Sequence, residues 1–333
     1  MVNISTSPHI RSGLSTATVM QDVAIALMPA LLMGVFVFGL RALLVILLCA
    51  VCCTLTEYLY RRLMKLPQTV SDGSALVTGL ILAMNLPASV PLWIPVFGAV
   101  IAILVVKQLF GGLGQNIMNP ALAARCFLLI SFPALMGAGM PAVGNLLGPD
   151  ALAAFGQRMT TLAVDATTGA TPLQMLKDGQ SVDLLQAFFG FHSGCIGETS
   201  TVAILVGAAY MLLRGVISPR IPGIYLAATV AFVALFRAVT GEPLTGNYLL
   251  GQLCTGGLMA GAVFMATDYV TSPITPWGQV IYALLLGLLT ALFRVFGSSA
   301  EGVSYAIIIG NTLVPLMEKV TIPRAFGKRG VAR

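Results

Sequence analysis

Charge is what this sequence has least of. Only 9% of its 333 residues are charged while 57% are hydrophobic, and its mean hydropathy is +0.93. A soluble domain carries about 25% charged residues, so a soluble globular fold is excluded and an all-α polytopic membrane protein is expected. A second absence lies at the start. Met1 to Gln21 is polar and rich in Ser and Thr, with no apolar run before residue 23, and does not read as a cleavable signal peptide. Clustered metal ligands are missing too. Cys49, Cys52 and Cys53 fall in one predicted helix without partners for a four-ligand site, and Cys126 and Cys254 lie in apolar segments as small buried residues. Cys195 and His192, three apart in a loop, are too sparse to define a metal centre, and no metal is expected. The net charge of +6 is not a nucleic-acid signature, because the basic residues sit mostly in short loops between apolar spans.

What is present in abundance is apolar sequence long enough to cross a bilayer core of ~30 Å. About ten transmembrane helices are expected, at roughly 22–40, 42–60, 74–87, 91–109, 119–137, 199–214, 221–240, 246–266, 277–296 and 302–318. With the N-terminus inside, twelve of the eighteen Lys and Arg residues, among them Arg61, Lys107 and Arg214, fall in inner loops and tails. That bias predicts cytoplasmic termini in a prokaryotic inner membrane, and an extracytoplasmic loop over 138–198. Four regions follow: a first five-helix repeat (1–137), the outer loop (138–198), a second five-helix repeat (199–318) and a basic tail (319–333). Five is odd, so two homologous halves must be inverted relative to each other. Gly73 to Pro87 and Thr255 to Thr267 are short, Gly-containing segments at corresponding places, as in transporters with interrupted helices.

The outer loop contains Asp165-Ala166-Thr167-Thr168-Gly169-Ala170-Thr171. This resembles the acceptor motif on which flavin transferases load FMN through a phosphoester, with Thr171 as the attachment residue. Gly169 and Ala170 leave the approach uncrowded, and Pro172 biases Thr171 towards an extended conformation that presents its hydroxyl. Asp165 and Thr168 either bind the metal and phosphate of the incoming donor or shape a turn.

Inside the apolar sequence, Gly111-Gly112-Leu113-Gly114-Gln115-Asn116-Ile117-Met118-Asn119-Pro120 forms a polar interruption. No strand precedes it and its spacing is neither a dinucleotide fingerprint nor a P-loop. The glycines allow close approach or positive φ. Asn116 and Asn119 either hold the polar edge of an isoalloxazine ring or cap a helix that begins at Pro120. Arg125, one turn on, requires a partner such as a phosphate, a flavin carbonyl or a helix-end carbonyl. Asp268, and Asp72 in the first half, read either as caps or as polar elements of an ion path.

Taken together, these segments resemble the family formed by the D subunits of Rnf complexes and the B subunits of sodium-pumping NADH:quinone reductases. Ser7-Pro8-His9, Asp72 to Gly79, Gly111 to Leu122, the flavin motif, Thr267-Asp268 and the basic tail carry the likeness almost end to end. One departure is Ala166-Thr167-Thr168, where many members have Gly, a variable residue and Ser; Thr168 keeps the hydroxyl. The resemblance implies a urea-transporter-like fold of two inverted repeats. It implies an electron-transfer subunit of a ferredoxin:NAD⁺ oxidoreductase that moves Na⁺ or H⁺ and is not catalytic alone. It also implies covalent FMN on Thr171, and a second, non-covalent flavin (riboflavin or FMN) for which Asn116, Asn119 and Arg125 are candidates. The implied partners are the A, B, C, E and G subunits, a flavin transferase and membrane lipid. A stand-alone channel or transporter for a small solute is the competing expectation, and it leaves the acceptor motif without a role.

Overall fold

The computed structural model describes residues 15–137, 171–297 and 302–323. Every described element is helical; among these residues there is no strand, only an isolated antiparallel bridge between Pro87 and Cys195. In chain order the main helices are α1 (Thr16–Phe38), α2 (Leu40–Leu63), α3 (Ser74–Met84) and α4 (Trp93–Val100), the last continued by a π-helix over Ile101–Gln108. Next come α5 (Pro120–Ser131), α6 (Pro133–Gly137), α7 (Pro172–Lys177), α8 (Leu184–Phe189), α9 (Thr201–Leu213) and α10 (Arg220–Thr240). The chain ends with α11 (Gly246–Cys254), α12 (Leu258–Ala260, continued by a π-helix over Gly261–Met265), α13 (Pro276–Phe296) and α14 (Val303–Thr321).

A helix lies at each of the ten predicted segments, but their lengths differ. Five (α1, α2, α10, α13 and α14) are long and apolar enough to cross a membrane, and α11 with α12 makes a sixth if the pair, bent by 57°, is one span. Shorter apolar helices fill the remaining segments. The eleven residues of α3 reach only ~16 Å at ~1.5 Å per residue, about half the apolar layer. Hydropathy counts apolar residues whether or not the helix continues, and α3 stops at Asn85 just before Leu86-Pro87.

Local chemistry sets the boundaries. Ser15 and Ser200 cap α1 and α9 by accepting backbone hydrogen bonds from Thr18 and Ala203. Thr275, followed by Pro276 at the first helical position, caps α13. The main core runs through the molecule: α1 packs on α2, α3 and α9, α10 lies along α13, and α14 joins α13 to α5. A second, small cluster holds Leu176, Val233, Tyr248 and Ala291. The α1–α9 contact admits no side chain at Gly207, where a Cβ would lie 2.2 Å from the Ala26 carbonyl oxygen and 2.9 Å from the Phe264 ring. Small residues at such crossings let helix backbones touch where lipid gives no hydrophobic drive for association.

The consequence is testable. Gly207→Val should lower the thermal denaturation midpoint in detergent, in line with the ~1–3 kcal/mol of an overpacked site. Gly223→Ala on α10, where nothing lies within 4 Å, should leave the midpoint unchanged or raise it.

Candidate functional site

Thr171 sits where the short helix α7 begins. Its backbone is extended (φ −69°, ψ 151°), as Pro172 predicts, and its Oγ1 accepts a hydrogen bond from Gln174 N at 3.3 Å. The expectation that Pro172 keeps Thr171 out of a helix holds for Thr171 itself. The proline nevertheless starts a helix immediately afterwards, because its fixed φ suits the first helical position. Leu173 and Leu176, both buried, anchor α7 against the Gly256 and Gly251 backbone of the second half. A small pocket beside Thr171 is walled by His192, Ser193, Gly194, Glu198 and Gly256. Burial holds His192 below the ordinary imidazole range, so a neutral ring faces this pocket. Asp165, Thr168 and Gly169 lie outside the described residues.

Glu198 leads from that pocket to Arg125. Arg125 Nη1 donates to Glu198 Oε1 at 2.7 Å and to Asn85 Oδ1 at 2.6 Å, while Nη2 lies 3.7 Å from Cys195 Sγ. Arg125 and Glu198 are 3% and 2% exposed, so the two charges compensate each other away from water. Asn85 in turn donates to Ile81 O at 2.6 Å, which ties the pair to the end of α3. The segment before Glu198 supplies the other bonds that this helix end needs: Gly197 N donates to Met84 O and Ile196 N to Leu86 O, both at 3.0 Å. The last residues of the predicted outer loop are thus buried against α3.

A matching arrangement closes the break between α11 and α12. Arg294, 3% exposed, donates through Nη1 to Gln252 O at 2.5 Å and Gln252 Oε1 at 2.9 Å, and through Nη2 to Thr255 O at 3.2 Å. A cation on the carbonyl end of a helix also complements its dipole.

Asn116 and Asn119 belong to a different place. They line a narrow cleft, open to solvent at its mouth, between α1, α3, Lys107 and the 211–217 and 264–270 segments. One wall is apolar (Val19, Val23, Val77, Ile81 and Phe264), and Thr78, Lys107 and Asp268 add polar groups. Asn119 does cap α5, its Oδ1 accepting from Ala121 N and Leu122 N, and Asn116 Nδ2 donates to Met118 O. Gly111, Gly112 and Gly114 all take positive φ, and at Gly112 a Cβ would meet Arg61 Nη2 at 2.7 Å. Asp268 accepts from Val270 N and Thr271 Oγ1, and burial pushes its carboxyl above the usual carboxylate range. Asp72 caps α3 through Ser74 N. The capping alternative is therefore realised for Asp72. Asp268 instead shapes a turn, since Thr275 caps the next helix, α13, and it faces the cleft as well. Arg125 does not join Asn116 and Asn119, because Asn85 and Glu198 hold its guanidinium on the other side of α3.

Two charged residues at the cleft end depart from their expected places. Arg61 and Lys107, expected in inner loops, are 8% and 2% exposed within α2 and the π-helix, beside Glu57 at 1%. The sequence does hold a signal for this: a carboxylate and an ammonium inside two apolar spans seldom survive unless they meet. Among the described residues no group of three His, Cys, Asp or Glu side chains could hold a metal ion.

Fold and site together define a helical membrane protein with interrupted helices braced by buried arginines. The chain belongs to the NQR2, RnfD, RnfE family, whose model matches residues 3–327. It is 44% identical over 335 residues to the D subunit of the Na⁺-translocating ferredoxin:NAD⁺ oxidoreductase complex of Acetobacterium woodii, covering 98% of this chain and 95% of that protein. It is 38% identical over 337 residues to the D subunit of the proton-translocating complex of Clostridium ljungdahlii (98% and 96% covered). With the D subunit of the ion-translocating oxidoreductase complex of Actinobacillus succinogenes the identity is 34% over 350 residues (98% of each).

Removing either partner of the central pair should leave a buried charge uncompensated. Arg125→Met and Glu198→Gln should each lower stability in detergent by ~3–5 kcal/mol, and the double variant should recover a large part of that loss. Thermal denaturation of the three variants tests this; additive losses would count against the pair.

Proposed function

We propose that this chain is the D subunit of an ion-translocating ferredoxin:NAD⁺ oxidoreductase, and that it carries FMN on Thr171 through a phosphoester bond. The observation that carries the covalent site is Thr171 itself. It closes a complete acceptor motif, stands half-buried in an extended backbone ahead of Pro172, and opens on a pocket. The flavin would supply one-electron carriage, and the protein would set its position and surroundings. Of the residues here, α7 anchors the attachment point, while Glu198, held by Arg125, places a fixed carboxylate beside it.

The same reading assigns the cleft to a second, non-covalent flavin. Its donor set suits that ligand: an apolar wall for the dimethylbenzene edge, with the Asn116 and Asn119 carboxamides and Thr78 for the polar pyrimidine edge. Arg125 would act on the Thr171 side through Glu198 rather than in the cleft. The ten-span, twice-repeated membrane topology with Thr171 on the outer side belongs to this proposal. Its support is a helix at each of the ten apolar segments and interrupted helices, α3 and α11–α12, at corresponding places in the two halves. The translocated ion would be Na⁺ or H⁺, the two that the relatives' names carry.

In-gel ultraviolet fluorescence of the denatured protein, made in cells that contain a flavin transferase, tests the attachment. Wild type should fluoresce, Thr171→Ala should be dark, and Thr171→Ser should retain the signal. A dark wild-type band from competent cells would remove the electron-carrier reading in favour of a small-solute transporter.

A further inference from the structure

At one end of the cleft, two of the lining side chains continue into a hydrogen-bonded chain that leaves it. Lys107 and Ser74 line the cleft and are buried. Lys107 Nζ donates to Ser74 Oγ at 2.6 Å and to Glu57 Oε2 at 2.7 Å. Ser74 Oγ donates onward to Asp72 Oδ1 at 2.6 Å. The other oxygen of Glu57 accepts from Thr69 Oγ1 at 2.6 Å and lies 3.9 Å from Arg61 Nε. Asp72 and Thr69 are partly exposed in the α2–α3 connection, whose neighbours Pro67 and Gln68 are fully at the surface. A continuous path of short bonds thus runs from solvent at the 64–73 loop to the wall of the cleft.

This arrangement does more than stabilise. A buried ion pair contributes little net stability relative to apolar residues of the same volume. Lys107 also stands in a π-helical turn, a local distortion found often at functional positions. Ser74 connects a donor on the cleft side to an acceptor on the solvent side, and a hydroxyl is the one neutral group here that can accept one proton while releasing another.

We infer that Asp72, Ser74 and Lys107 form a proton relay between the 64–73 loop and the cleft, with Glu57 as the residue that positions Lys107. The inference rests on the reading of the cleft as a site for a redox-active, proton-accepting ligand. For each electron that the complex's one-electron donor places on that ligand, Lys107 gives up one proton: its N–H bond breaks and a ligand–H bond forms. Hydronium at the rim protonates the Asp72 carboxylate. The Lys107 amine takes the Ser74 hydroxyl proton as Ser74 Oγ takes that proton from Asp72, which returns to its carboxylate. One electron and one proton enter the cleft and no charge is left in the relay. The ionisable groups around this path are Glu57, Arg61 and Cys53 of α2, and Asp268 and Tyr269 from the opposite wall.

The test uses the purified whole complex, reduced in a stopped-flow instrument by a reduced viologen, which donates electrons without protons. Flavin absorbance and a pH-indicator dye are followed together, and non-covalent flavin is counted after acid extraction. In wild type and in Ser74→Thr, proton uptake should keep pace with reduction of the non-covalent flavin. In Ser74→Ala and Lys107→Met, uptake should lag by roughly 10²-fold, the lower range for a positioned proton-transfer group, with flavin content unchanged. Ser74→Ala spares both the Lys107–Glu57 pair and the α3 cap, since Ser74 N also donates to Asp72, so it decides alone if Lys107→Met fails to assemble. Uptake in step with reduction in Ser74→Ala would overturn the relay, as would loss of the flavin from that variant, which would make the group a binding element. Absence of non-covalent flavin from wild type would overturn the reading of the cleft and the relay with it.

Discussion

A helix that stops inside an apolar layer leaves carbonyl groups that no water can satisfy, and this constraint organises the molecule. α3 stops after Met84 and α11 after Cys254. Each stop is answered by side chains and backbone from distant parts of the sequence. At α3 the answer is the backbone of Ile196 and Gly197 together with the adjacent Asn85, whose side-chain oxygen in turn accepts from Arg125; at α11 it is Arg294. An arginine is the economical choice, because one planar guanidinium offers several donors to oxygens that converge from different directions. Its charge then needs compensation. For Arg125 this comes from Glu198, and the carboxylate so recruited becomes part of the wall beside Thr171. The bonds that close the end of α3 and those that build the wall of the attachment site are thus joined through Asn85.

The same logic explains why the polar groups fall in two separate places. The N-terminal end of α3 presents Ser74 and Thr78 to the cleft, and its C-terminal end meets Arg125 through Asn85. One short helix therefore carries a polar site at either end, with the apolar surface of Val77 and Ile81 turned into the cleft between them. A full-length span would have kept the two sites farther apart.

Much of this is legible in the sequence wherever the signal is local. The apolar runs mark every main helix except α7 and α8, which lie in the expected outer loop. The glycines of 111–114 do adopt positive φ, Asn119 caps the helix that Pro120 begins, and Pro172 keeps Thr171 extended. What cannot be read depends on partners far apart in the chain. Glu57 and Lys107 are separated by 50 residues and Arg125 and Glu198 by 73, and neither spacing follows from a helical or loop pattern. Lys107 reads as a marker of topology because position near a span end is all that a charge count can use. Glu198 passes as one more acid of a polar loop, since nothing in sequence says that its segment is drawn into the apolar layer to satisfy Met84 and Leu86. Arg125 plainly needs a partner, and proximity to Asn119 points it to the cleft. Six residues are more than a full helical turn, however, enough to carry its long side chain to the other face of the structure.

The length of α3 also bears on how electrons would cross such a protein. Its eleven residues place the two ends ~16 Å apart, against ~30 Å for the apolar layer. A carrier at Thr171 and another in the cleft would therefore divide the crossing, with neither required to traverse it alone. The charges lie at the two ends and not along the path. The Arg125–Glu198 pair stands beside the Thr171 pocket, and beside the cleft Glu57 faces both Lys107 and Arg61. A net charge fixed midway would favour one redox state in the middle of an apolar layer, where the field of an uncompensated ion is least screened. Paired charges at the ends would avoid that trap, and their polarisable hydrogen bonds would respond to a change of charge on a ligand beside them. On the proposed reading the interrupted helix thus has an electrostatic consequence: it would let the protein place paired charge beside the two carriers and keep the Val77 and Ile81 stretch between them apolar.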